Sequence, residues 1–148
     1  MNELTEQIKR HEGLRLQTYN CPAGKLSIGY GHNLEACPVD DIIGRKINKG
    51  DFITKDEAER ILGYDVLQAV NNCVNNINCY KTLSIPRQAV LVNMSFNLGM
   101  GKLLHFKKML QALDRGDYEE ASKQMLESKW AIQVGNRAIE LANMMKEG

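Results

Sequence analysis

The chain has 148 residues, of which 43% are hydrophobic and 25% charged, and its net charge is +1. A chain of this size buries roughly two-thirds of its unfolded surface and needs no disulfide staples. The balanced charge excludes bulk attraction to nucleic acid or anionic membrane, and no apolar run approaches the roughly 20 residues of a membrane span.

Asn2 to Glu12 reads as a short amphipathic helix, with Leu4 and Ile8 on one face and Gly13 at its end. This charged N-terminal stretch lacks the apolar core and cleavage site of a signal peptide. The expectation is a protein that stays where it is made, without membrane insertion, until something releases it. Tyr19 then precedes the turn cluster "NCPAG", and "KLSIGYGH" alternates like a hairpin strand, with Leu26, Ile28 and Tyr30 on one side. Residues 33–53 are polar and mixed and read as turns and loop. From Thr54 to about Asn76, "TKDE" forms a capping box and apolar residues follow at helical spacing.

The remainder is helical. Pro86 opens a helix ended by Gly99, a second runs from Phe106 to Leu113, and "DYEE" at Asp117 reads as another capping box. "SKW" and "NRAIELANMMK" supply the last turns. The lysine run from Lys102 to Lys108 reads as a solvated helix face. The fold class is α+β: a small hairpin-containing lobe joined by a long helix to an all-helical lobe. The four cysteines, Cys21, Cys37, Cys73 and Cys79, fit no CxxC or zinc-finger spacing, and reduced thiols are expected.

Glu12 is the first candidate for chemistry. It ends the first helix, where the negative end of the helix dipole favours a protonated carboxyl, the form a general acid needs. Cys21 and Ser27 stand nine and fifteen residues on. A hairpin folded back over the helix end brings both toward that carboxyl. Taken singly, each has an ordinary explanation: an exposed Glu at a helix end, a small thiol, a strand hydroxyl.

The spacing is more informative than the residues. Glu12, eight residues, Cys21, five residues, Ser27, and then "IGYGH" from Ile28 to His32 resembles the signature of the phage-type lysozymes and endolysins of glycoside hydrolase family 24. In that family the pattern is Glu, eight residues, Asp or Cys, five residues, Thr. "ITKDEAERIL" at Ile53, "NMSFNLG" at Asn93, "SKW" at Ser128 and "NRA" at Asn136 follow in the order and intervals of the T-even branch. The resemblance covers nearly the whole chain. It implies one lysozyme-like domain over residues 1–148: an N-terminal lobe of about 13–58, an interlobe helix of about 54–77, and a helical lobe of about 80–148 on which the first helix packs.

It also implies roles. Glu12 would protonate the glycosidic oxygen between N-acetylmuramic acid and N-acetylglucosamine in peptidoglycan. Cys21 stands where Asp is commoner and would orient a water, or attack the sugar. An ordinary thiol, with pKa about 8.5, is mostly neutral at pH 7, and nearby carboxylates are expected to raise it further. Ser27 replaces the family's Thr and keeps its hydroxyl. Arg137 would approach the catalytic Glu, while His32 and Asp65 would form an ion pair of structural support. Asn33, Phe96, Met109 and Gln124 fall where the family lines the sugar cleft.

The expected function is a monomeric muramidase acting as an endolysin, with no cofactor or metal, peptidoglycan strands as substrate, and a holin to give access to the wall. A weak or redox-switched lysozyme-fold peptidoglycan-binding protein is the alternative, prompted by the missing second carboxylate.

Overall fold

Thr54 and Glu57 exchange hydrogen bonds reciprocally. The Glu57 amide donates to Thr54 Oγ1 at 3.1 Å and the Thr54 amide to Glu57 Oε1 at 2.9 Å. This is the capping box the sequence announces, and it opens the longest helix of a computed structural model that describes residues 2–148. Among the described residues the order is α1 (Asn2–Glu12), β1 (Arg15–Asn20), β2 (Leu26–Gly29), β3 (His32–Asn33), α2 (Asp40–Ile43), α3 (Lys55–Asn76), α4 (Ile85–Leu98), α5 (Met100–Leu103), α6 (Lys107–Asp114), α7 (Tyr118–Leu126), α8 (Lys129–Val134) and α9 (Asn136–Glu147). The fold is α+β, mostly helical with one small antiparallel sheet. The chain divides into two compact units, Met1–Gln68 and Ala69–Gly148, and the division falls within α3.

In the first unit the strands lie in the order β1-β2-β3. Tyr19 pairs with Ser27, Ser27 with Asn33 and Ile28 with His32. The β1–β2 pairing is interrupted between Arg15 and Tyr19. Ile28 and Ser27 are both buried, so β2 is covered on both faces and does not show the half-buried alternation its sequence suggests. Residues 33–53 hold more structure than their polar composition indicates. Four of them form α2, too short to register as a periodic signal. The following loop is tied to α3 by Arg45, whose guanidinium grips both Glu57 oxygens at 2.7 and 3.0 Å and the Phe52 carbonyl at 2.9 Å. That bidentate grip, foremost, lowers the Glu57 carboxyl to a pKa of about 2.

His32 is 4% exposed, and both its ring nitrogens face acceptors. Nδ1 lies 2.7 Å from Asp65 Oδ2, and Nε2 lies 2.7 Å from the Cys37 carbonyl oxygen. A carbonyl and an ionised carboxylate can only accept, so satisfying both requires a proton on each nitrogen, the imidazolium form. Burial opposes the charged ring most strongly, but Asp65 and the Cys37 carbonyl together outweigh it and raise the His32 pKa. The sequence-level ion pair is therefore present, with the Cys37 carbonyl as a third member that spacing could not reveal.

A raised folded pKa means the charged ring binds its proton more tightly in the native state. Its stabilisation is complete below the ordinary histidine pKa of about 6.5 and is lost as pH climbs through the raised value. His32→Asn is expected to cost about 3 kcal/mol in mildly acidic solution, because it leaves a largely buried carboxylate unpaired. Urea unfolding of both proteins from mildly acidic to alkaline pH checks this. The gap between them narrows as pH rises.

The second unit is a helical layer whose core holds Val90, Leu91, Met94, Leu103, Met125, Leu141 and Met145, all essentially inaccessible. α4 starts one residue before Pro86, because Ser84 caps it by accepting from the Arg87 amide, and Pro86 then occupies the first turn. At α7 the forward half of a capping box forms. Asp117 accepts from the Glu120 amide at 3.1 Å, while its own N–H is given to the Ala112 carbonyl at 2.8 Å. Arg87 closes the far end of α9. It donates to the Met145 and Lys146 carbonyls at 2.7 and 3.0 Å, and its guanidinium lies 3.5 Å from the Tyr118 ring centroid.

Candidate active site

The first unit gathers Glu12, Cys21 and Ser27 around one hairpin. "CPAGK" makes a three-residue loop. The Gly24 amide donates to the Cys21 carbonyl at 2.7 Å, and the Cys21 amide donates to the Lys25 carbonyl at 2.9 Å. Pro22 sits where a type I turn favours it, and Gly24, at φ +80°, takes the left-handed position that completes the loop. This geometry aims backbone N–H groups back at the side chain of Cys21.

The consequence is a thiol that is easier to ionise. The Lys25 amide is the main cause, acting against partial desolvation. The Ala23 amide and the Ser27 hydroxyl add to it, and the Cys21 pKa is lowered. The sequence led to the opposite expectation, that neighbouring carboxylates would raise it. The loop's donors reverse that. The other three thiols go the other way. Burial pushes Cys73 up to about 12, burial and Asp114 push Cys79 up to about 11, and burial with the charge of Asp65 raises Cys37. All four are free thiols, and Cys21 alone among them is shifted toward the thiolate, the reactive form.

Ser27 is 2% exposed at the centre of the sheet. Its Oγ donates to the Lys25 carbonyl at 3.1 Å, and the hydroxyl also favours the Cys21 thiolate. The single hydroxyl proton serves one of them at a time, so Ser27 can support the thiolate and accept from a third group in turn.

Glu12 is the last residue of α1 and is half-buried. Tyr19 reports that it and Cys21 share a neighbourhood. Burial, then the charge of Glu12, then Cys21 raise the phenol pKa, against Arg15, whose guanidinium lies 4.8 Å from the Tyr19 ring centroid. Gly31, at φ +72°, lies directly against the Glu12 carboxyl group: a Cβ built there would collide with Oε1. Asn33, half-buried on β3, uses its Oδ1 to accept from the amides of Glu35 and Ala36 at 2.9 and 3.1 Å. Its amino group is what it can offer a ligand.

The other four residues singled out in the sequence lie in the second unit. Arg137, 9% exposed, donates from Nε and Nη2 to the Oδ1 of fully buried Asn93, at 3.0 and 2.8 Å. Phe96 is half-buried on α4. Met109 and Gln124 border one groove of about 760 Å³. Met109 is fully buried there, and Gln124 is half-exposed. Phe106 and Trp130 line the same groove edge to face, 6.1 Å apart, with Trp130 Nε1 anchored on Asn97 Oδ1 at 2.7 Å. The rim carries Lys102, Lys107, Lys108 and Lys129 against Glu127, and all four lysines are exposed, as a solvated face requires.

An acid beside a polarised thiol and a hydroxyl is a donor–acceptor set for acid-assisted displacement at a carbon bearing an oxygen leaving group. Comparison with known proteins agrees in class. The profile of the phage lysozyme family matches residues 9–145. An endolysin of Acyrthosiphon pisum secondary endosymbiont phage 1 is 31% identical over 94% of this chain and 85% of its own length. Probable T4-type lysozyme 1 of Dictyostelium discoideum is 26% identical over the whole chain and 96% of its own length. The pre-baseplate central spike protein Gp5 of Enterobacteria phage T4 is 31% identical over 98% of this chain, which corresponds to 28% of that larger protein. The chain belongs to the phage lysozyme family. It is a lysozyme-type hydrolase.

Sequence reasoning missed the Ala23 and Lys25 amides, Tyr19 and Gly31. "CPAG" followed by Lys25 was itself the available signal, since Pro followed two residues later by Gly defines this loop and therefore the direction of its amides.

Proposed function

We propose that the protein is a muramidase that hydrolyses the β-1,4 bond between N-acetylmuramic acid and N-acetylglucosamine in peptidoglycan, and that it serves as an endolysin. Glu12 gives its proton to the glycosidic oxygen as the bond to the muramoyl carbon breaks. Cys21, as thiolate, takes a proton from a water held with the help of Ser27, and that water attacks the same carbon from the opposite face. The observation that carries this reading is the hairpin itself: a half-exposed thiol lowered by the Lys25 and Ala23 amides and by Ser27, in the position where the family more often has Asp. A carboxylate and a thiolate present the same negative charge to developing oxocarbenium character.

The same acidified thiol favours a second reading, direct attack by sulfur through a covalent glycosyl–enzyme intermediate. Inversion by water yields the α-anomer first, and retention through sulfur yields the β-anomer. NMR of fresh product separates them, and the α-anomer is expected.

In this reading Asn33, Phe96 and Gln124 contact glycan, Met109, which is fully buried, backs the groove that Gln124 borders, Arg137 keeps the supporting role the family likeness implies, and His32 with Asp65 holds the hairpin loop. The enzyme works as a monomer with no cofactor and meets the wall after a holin opens the membrane. The test is loss of turbidity of bacterial walls stripped of outer membrane, with and without reductant. Clearing under reducing conditions is expected. No clearing under either condition would overturn the reading.

A further inference from the structure

We propose that Gly31 is a positioning residue for Glu12, and that the bare Cα at this turn fixes the direction in which Glu12 presents its carboxyl group. The inference rests on Glu12 being the acid of the reaction proposed above. The three heavy atoms nearest to a Cβ built on Gly31 all belong to the Glu12 side chain: Oε1, in collision, Cδ at 3.1 Å and Cγ at 3.6 Å. The backbone at residue 31 therefore forms one wall of the space the carboxyl occupies.

What would yield to a methyl group there is a flexible side chain rather than backbone or core. The clash is relieved by turning Glu12 about its χ angles, so the protein survives and the proton is misdirected. General acid catalysis requires the donor within hydrogen-bond reach of the leaving oxygen, and an error of about 1 Å costs on the order of 100-fold. Gly31 acts through Glu12 and does not itself touch the reacting atoms.

Any L-residue at Gly31 also bears backbone strain, because φ is +72°. Gly44 supplies the control. It ends α2 at φ +78°, and a Cβ built there meets nothing within 4 Å. Gly44→Ala therefore carries the same backbone cost without the neighbour.

The experiment measures kcat, KM and their pH dependence on purified peptidoglycan for wild type, Gly31→Ala, Gly44→Ala and Glu12→Gln, with thermal unfolding of each. Gly31→Ala and Gly44→Ala should lower Tm alike. Gly31→Ala alone should lose about 100-fold in kcat with KM little changed, and its alkaline limb, which reports loss of the acid's proton, should move. A Gly31→Ala enzyme with the kcat and pH profile of Gly44→Ala overturns the inference. A fully active Glu12→Gln overturns the proposed function instead. A measurement on the unaltered protein covers the case in which Gly31→Ala does not fold. NMR scalar couplings should show Glu12 in one χ1 rotamer, and rotamer averaging overturns the inference.

Discussion

Glu12→Gln is expected to lose about 1,000-fold or more of the lytic activity, within the range that removal of a general acid produces. Glutamine keeps the size and hydrogen-bonding shape of the side chain but has no proton to give the glycosidic oxygen. The loss should appear in kcat, with binding to intact walls retained, because the acid is needed when the bond breaks. Stability should not fall with it. Glu12 is the last residue of α1, and a neutral amide of the same shape is well tolerated at the negative end of the helix dipole. The expected Tm is unchanged or slightly higher. An inactive variant with intact or raised Tm distinguishes a chemical role from a structural one.

The second large effect is at Cys21. Cys21→Ala is expected to lose about 100-fold in activity, the lower part of the range for general-base removal. Ser27 and Glu12 remain and keep part of the machinery. Cys21→Asp should stay lytic, because a carboxylate at the same point accepts the same loop amides and carries the same charge. The pair of substitutions separates the need for negative charge from the need for sulfur. Alkylation gives an independent check. A limiting amount of iodoacetamide should modify Cys21 first, since Cys37, Cys73 and Cys79 are all raised by burial and Cys21 is lowered. Peptide mass spectrometry should find activity lost in step with modification of Cys21. Loss of activity that follows another cysteine would contradict the assignment.

Much of this protein was legible before its structure, for identifiable reasons. α1 and α3 have the bounds their periodicity and caps indicate, and the Thr54–Glu57 box forms with both hydrogen bonds. Local signals suffice there because the interactions are local, within four residues along the chain. The hairpin was legible from "NCPAG" and "IGYGH" for the same reason. α2 was not, because one helical turn in a polar stretch has no period to detect. Residue types, carboxylates against thiol, point the wrong way for the ionisation of Cys21, because the deciding groups are backbone amides that carry no residue-type signal. The pair His32–Asp65 followed from the family likeness, yet its third partner, the Cys37 carbonyl, is again backbone. Gly31 shows the same limit. The sequence offers a turn glycine, and only three dimensions reveal that its missing side chain is the space Glu12 occupies.

In the proposed function Glu12 and Cys21 cut one particular bond. The most direct measurement is digestion of purified peptidoglycan, borohydride reduction of the fragments, and identification of the newly reduced sugar. Cleavage on the muramic acid side creates reducing N-acetylmuramic acid, so muramitol should appear with wild type and be absent with Glu12→Gln. Glucosaminitol in its place, or muramitol released equally by Glu12→Gln, would contradict it.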